Sequence, residues 1–316
     1  MDIYDLKKNA NKLKARITES ITRSCLEAKN NCRALNHDVQ EPDLIAYLVK
    51  NLPHDLYMAL DEYFEDDIFS VSGVFCHQKP IVDIKEKKKP ELGDLLLVVV
   101  DENEYGDTTY NSLLLQAKIV DADKYKVCND EQHQLKLYMD WPLFTYYRAG
   151  ILNGEERNIM PKVSNAGAQY LLMRKPFNNG KFFGCSVPSN VLAFGDELST
   201  AIVDLMKFTT GRSFEDYAKT PSKDDWTNMI WDLINISKVS YFNRRNSGLE
   251  GESRYHGEGG LLYYCSKSEE FIEPFFDDFF HKESDINYDE DRGVSVIIIE
   301  SKKKYEYRRD QDYFRQ

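Results

Sequence analysis

Apolar residues recur every three or four positions along the first part of the chain, at Ile3, Leu6, Ala10, Leu13, Ile17, Ile21, Cys25 and Ala28. That period predicts one long amphipathic helix over residues 2–34, with Lys7, Lys8, Lys12, Lys14 and Arg16 on its other faces. A packed helix with a solvated basic face is the plainest reading; a DNA-contacting or dimer-forming helix is the alternative. Glu41, Pro42 and Asp43 predict a second helix start, because proline suits a first turn. Leu44, Ile45, Tyr47, Leu48 and Leu52 follow at helical spacing, and residues 55–65 read as a further helical piece. Then the period changes. Residues 69–75 read as a strand, and a lysine-rich loop over 85–90 leads to an unbroken apolar run from Leu95 to Val100. A run apolar on both faces marks an interior strand. Residues 101–110 read as a polar turn, Leu113–Val120 as a second interior strand, and residues 130–139 as a helix closed by Trp141 and Pro142.

Farther along, strands are expected over 168–173, 182–187, 261–266 and 293–300, and helices over 193–208 and 225–236. Residues 243–260 hold five glycines but lack the spacing and lysine of a phosphate-binding loop, so they read as a plain loop. The alternation predicts an α/β fold: a mixed central sheet flanked by helices, with a core order of α-β-β-β-α-β. The expected division is a helix over 1–37, a core over 38–150, and an α+β elaboration over 151–316 packed on that core.

Composition changes this picture little. Apolar residues make up 42% of the 316 and charged residues 30%, enough for a sizeable core. The first residues are charged, and no apolar run is long enough to span a bilayer, so a soluble cytoplasmic protein with no membrane partner is expected. The cysteines (Cys25, Cys32, Cys76, Cys128, Cys185, Cys265) form no CxxC pair and accompany no histidine cluster. Free thiols are therefore expected, with neither a zinc site nor a disulfide framework.

Charge matters more. The net charge of −12 argues against a protein held to nucleic acid by bulk attraction, although a local basic groove is compatible with it. The acidity is uneven: residues 269–291 hold ten carboxylates, whereas basic clusters lie at 7–16, 85–89 and 302–309. Residues 271–280 are aromatic and acidic, which reads as core packing with solvated acids or as a surface for a protein partner.

The candidate chemistry lies on the two interior strands. Asp94 opens the first; Gln116 and Lys118 lie two apart on the second and share a face. A lysine in such an apolar run must snorkel, pair or lose its proton, and Asp94 is a candidate partner. An ordinary salt bridge is the competing reading. Gln134 and Tyr138, four apart, share a face of the following helix and suit a phosphate or an attacking water. Upstream, Glu41 could add a carboxylate to the cluster; Glu62 and Glu91 are alternatives, with Glu91 three residues before Asp94.

The ordered set Pro90-Glu91-Leu92-Gly93-Asp94, then Gln116-Ala117-Lys118, then Gln134 and Tyr138, resembles the PD-(D/E)xK nuclease superfamily. The trailing pair looks like the QxxxY motif of its RecB-like branch, and the QxK form looks like Mrr-type restriction nucleases. The resemblance covers about residues 38–142. It implies a restriction-endonuclease-like fold and a metal-dependent nuclease that hydrolyses phosphodiester bonds of DNA. It also implies a role in bacterial anti-phage or restriction-type defence. In that reading Asp94, Gln116, Lys118 and Glu41 are catalytic, Asp94, Gln116 and Glu91 hold Mg²⁺ or Mn²⁺, and Gln134 and Tyr138 bind substrate. A protein partner or self-association is expected as well. Gln116 departs from the family's usual acid and removes a negative charge from the site. The alternative is therefore a catalytically inactive nuclease-fold scaffold or binding subunit of a defence complex.

Overall fold

The computed structural model describes residues 1–76, 80–216, 222–238 and 293–304, together with the backbone of 261–265. Helix α1 (Ile3–Ala34) is capped by the Asp2 carboxylate, which accepts from Tyr4 N at 2.6 Å. Its stripe of Leu6, Leu13, Ile17, Ile21, Cys25 and Ala28 is buried along α2 (Glu41–Tyr63). The two helical pieces expected in 41–65 are one helix that runs through Pro53. Proline forfeits a backbone donor there, yet its ring is buried against Gly73, where a Cβ would lie 2.9 Å from Pro53 Cγ. Tertiary packing overrides the local break.

The strands in chain order are β1 (Asp67–Val74), β2 (Ile81–Asp83), β3 (Leu95–Glu102), β4 (Thr108–Val120) and β5 (Lys124–Lys126). Helix α3 (Gln132–Asp140) leads to β6 (Phe144–Arg148), β7 (Glu156–Arg157), β8 (Ala168–Arg174), β9 (Phe183–Ser186) and β10 (Val191–Ala193). Then come α4 (Leu198–Met206), β11 (Arg212–Phe214), α5 (Asp225–Lys238), β12 (Leu261–Cys265) and β13 (Ser295–Lys303). The helix expected from 193 begins five residues later. Residues before it are bonded elsewhere first: β10 pairs β5, and Asp196 O accepts from Cys185 N at 2.8 Å.

A mixed sheet forms the middle layer, in the order β12-β1-β13-β3-β4-β8-β9, with β11 also on β4. The pairs β13–β3 and β4–β8 are parallel; the others are antiparallel. Alternation along β3 explains the layers. Leu95, Leu97 and Val99 face α1, α2 and α4, whereas Leu96, Val98 and Val100 face the layer of Trp141, Trp226 and Trp231. A fully buried side chain of this size contributes on the order of 2 kcal/mol, so both faces of β3 anchor the molecule.

The sequence-based division does not correspond to separate layers. Strand β13, from the far end of the described chain, lies inside the sheet between β1 and β3, and both apolar cores draw on both halves. The region after 150 supplies part of the central sheet and is not packed on the outside of a finished core. No described helix is long and apolar enough to cross a membrane. The glycine-rich loop at 243–260 and the acidic and aromatic stretches at 269–291 and 271–280 lie outside the described residues.

Candidate functional site

Asp94 sits one residue before β3 and is pinned by its backbone. Its N–H donates to Leu115 O on β4 (2.9 Å), and its carbonyl accepts from Ser295 N (3.2 Å). Gly93 allows the approach: a Cβ there would lie 2.7 Å from Leu114 Cδ1 and 3.1 Å from the Tyr138 hydroxyl. The Asp94 carboxylate turns toward β4, where Oδ2 accepts from the Gln116 side-chain amide and from Ala117 N (2.7 Å).

Gln116 and Lys118 share the strand parity of Leu114, as the period-two pattern requires, and so emerge on the side of α3. The ion-pair partner of Lys118 is not Asp94. Its Nζ lies 2.9 Å from Glu131 Oε1. Glu131, in the turn just before α3, also receives the Tyr125 hydroxyl (2.6 Å) and Cys128 N (3.4 Å). That second anchoring holds it where Lys118 emerges. Burial alone would raise the Glu131 pKa; the Tyr125 hydroxyl and Lys118 outweigh it and hold the group down at about 2. Burial would likewise lower Lys118, but Glu41, Glu131 and Asp94 raise it, so the ammonium stays charged.

Asp94 behaves oppositely. Burial, then the charge of Glu91, push its pKa up to about 8 against the opposing pull of Ala117 N–H. Burial also raises Glu91, with Glu41 adding to the shift against the pull of Lys118. These groups line a cleft of about 580 Å³ together with Lys89, His133 and Gln134. Glu41, at the first turn of α2, reaches across the sheet end so that Oε1 accepts from Ile119 N at 3.0 Å. Of the upstream acids, Glu41 and Glu91 therefore line the cleft; Glu62 lies elsewhere, 3.3 Å from Arg16.

Two buried side-chain atoms here have no hydrogen-bond partner among the described residues: Gln116 Oε1 and Gln134 Nε2. Leaving such atoms unmet costs about 1–3 kcal/mol each, so an acceptor and a donor are held ready for something absent from the polypeptide. This wall offers a hard divalent cation oxygen donors. Gln116 Oε1 and the Asp94 carboxylate are oxygen donors, and acids outnumber lysines around the cleft. Glu41, Glu91 and Asp94 do not converge into one tight ligand cluster, however, since the single group of that kind among the described residues lies elsewhere.

Tyr138 does not line the cleft. It is fully buried, stacks on Trp141 with ring centroids 5.6 Å apart, and donates its hydroxyl to Leu92 O at 2.9 Å. One turn beyond Gln134, it lies too deep to meet a substrate and instead supports the chain entering Gly93 and Asp94. We expect Tyr138→Phe to cost about 1–2 kcal/mol in denaturant unfolding, because Leu92 O loses its donor. Any substrate KM should stay unchanged; a raised KM at unchanged stability would return Tyr138 to the binding surface.

The reading from sequence missed Glu131, and it had Lys89 only as part of a basic cluster, not on the cleft wall. Glu131 carried one signal, an acid three residues before Gln134 at a helix start; nothing in the sequence marked it as the partner of Lys118. Comparison with protein-family models, curated proteins and solved structures finds no significant match.

Proposed function

We propose that the chain is a divalent-metal-dependent nuclease of the PD-(D/E)xK kind, hydrolysing phosphodiester bonds of DNA. One observation carries the reading: a polar cleft at the end of two interior strands joins the Asp94 carboxylate, the partnerless Gln116 Oε1 and Gln134 Nε2, and a charged Lys118. That combination suits a cation and a phosphate side by side. Asp94, Gln116 and Glu91 would hold Mg²⁺ or Mn²⁺, with Glu41 beside them. When bound, such a cation lowers the pKa of a coordinated water and offsets phosphoryl charge.

The residues do the remainder. Gln134 Nε2 donates to a phosphoryl oxygen, which gives that buried amide its missing partner. Lys118 offers its ammonium to the charge that develops on the phosphate, and its pair with Glu131 keeps it aimed from β4. Lys89 on the cleft wall is paired with Asp83 (2.8 Å) and Lys88 with Asp130 (2.9 Å), so exposed Lys85 and Lys87 on the same loop are the cations that would add local positive charge to a chain that is acidic overall. A role in bacterial defence rests on the family resemblance alone.

A second reading is a nuclease-fold scaffold without catalysis. It is favoured by the same Gln116, which is neutral and bonded to Asp94, and by the engagement of Lys118 with Glu131. Incubating the purified chain with supercoiled and linear DNA in Mg²⁺, Mn²⁺ or EDTA separates the two. Nicking or degradation in either cation, abolished by EDTA, is the expected result; binding without cleavage in every condition establishes the scaffold.

A further inference from the structure

The junction of α1 and α2, whose residues Val39 to Pro42 border the cleft, gathers three metal-ligating side chains that do not themselves line it. Helix α1 ends with Asn36 at φ 57°, Asn36 N donating to Arg33 O (3.1 Å) and His37 N to Cys32 O (3.0 Å). This paired exit turn folds His37 back over Cys32. Helix α2 begins with a capping box in which Gln40 N donates to Asp43 Oδ2 at 2.9 Å, so the Asp43 side chain reaches back toward the incoming chain. One ligand atom each from Cys32, His37 and Asp43 consequently lies within 4.8 Å of the others. Cys32 and Asp43 are buried and His37 is half-buried.

We infer that Cys32, His37 and Asp43 form a zinc-class metal site that bolts α1 to α2. Thiolate and imidazole are soft or borderline donors that select zinc over magnesium. Zinc takes sulfur at about 2.3 Å and nitrogen or oxygen at about 2.0–2.2 Å in a tetrahedron, which sets ligand atoms roughly 3–4 Å apart. Small side-chain rotations close the observed spacing to that geometry. A thiolate and a carboxylate together neutralise a divalent ion, as a buried site requires. His37 Nδ1 lies 3.0 Å from Asp38 O, the kind of backbone contact that orients a metal-bound histidine. The half-exposed side of His37 leaves the fourth position to water. The site would fix the α2 entry two residues after Glu41, whose carboxylate reaches Ile119 N. Binding releases the Cys32 thiol proton and folds its free energy into the helix junction.

The expectation of no zinc site came from the absence of CxxC pairs and of a histidine cluster beside the cysteines. The spacing 32, 37, 43 matches no zinc motif because two helix caps, not a knuckle, assemble it. The test is cobalt titration of the metal-stripped full-length chain. A single equivalent of Co²⁺ should give a thiolate-to-cobalt charge-transfer band that Zn²⁺ displaces. The band should vanish in Cys32→Ser and persist in Cys128→Ser, which removes an exposed thiol. In His37→Gln, Co²⁺ affinity should fall by more than about 100-fold, beyond the loss typical of outer-shell changes. No band in the wild-type protein, or a band surviving Cys32→Ser, overturns the site. Should Cys32→Ser fail to fold, undiminished affinity in His37→Gln does the same. Asp94→Asn should retain the band, so this inference and the nuclease reading stand or fall separately.

Discussion

Asp94→Asn is expected to abolish the cation-dependent DNA cleavage proposed for this chain and to leave the fold intact. The substitution keeps an oxygen that accepts from Ala117 N but removes the charge that would hold the cation. The expected loss is at least about 1,000-fold, because activation of water and stabilisation of phosphoryl charge disappear together. Circular dichroism and a cooperative melt check the fold; a plasmid-nicking time course checks the rate. Cleavage at the wild-type rate by the folded variant would remove Asp94 from the chemistry, and the nuclease proposal with it.

The second large effect is on stability. The metal-free protein should become less stable as pH rises from about 4 to about 8. The Asp94 pKa is about 8 in the folded chain and about 4 in an unfolded one. Between those values the folded state holds a proton that the unfolded state has released, so stability falls with rising pH. Below pH 4 the penalty is absent; above pH 8 it is complete, on the order of a few kcal/mol. Glu91 and Asp232, both raised chiefly by burial, act in the same direction. Glu131, held at about 2, acts oppositely and only below the ordinary carboxylate range; Lys118 acts only at alkaline pH. The difference between wild-type and Asp94→Asn melts across this window therefore isolates Asp94. In EDTA the variant should overtake the wild type toward pH 8, and Mn²⁺ should restore the wild type but not the variant. Superimposed pH curves for the two proteins would show that Asp94 carries no buried charge.

Much of the layering was readable beforehand because side-chain direction is a local property. Leu95–Val100 is apolar at every position, so β3 had to be covered on both faces, and it is. Gln116 and Lys118 had to share a face because strands repeat every two residues, and both line the cleft. The same reasoning reached only halfway along α3. Gln134 and Tyr138 share a helical face, but they lie one turn, about 5.4 Å, apart along the axis. That step separates a cleft wall from a closed interior. Helix phase predicts direction; it carries no information about depth.

What required the folded chain was every pairing across long separations. Residues 293–300 read as a strand, yet nothing in them says that β13 enters between β1 and β3 and not at an edge. Lys118 needed a partner, but that partner is an acid thirteen positions on, set by where α3 starts. Cys32, His37 and Asp43 meet only because two caps reverse the chain between helices. Local patterns determined which faces are apolar and which polar residues accompany each other along one element. Register, strand order and depth depend on the summed packing of remote surfaces, and these decided which charges became neighbours.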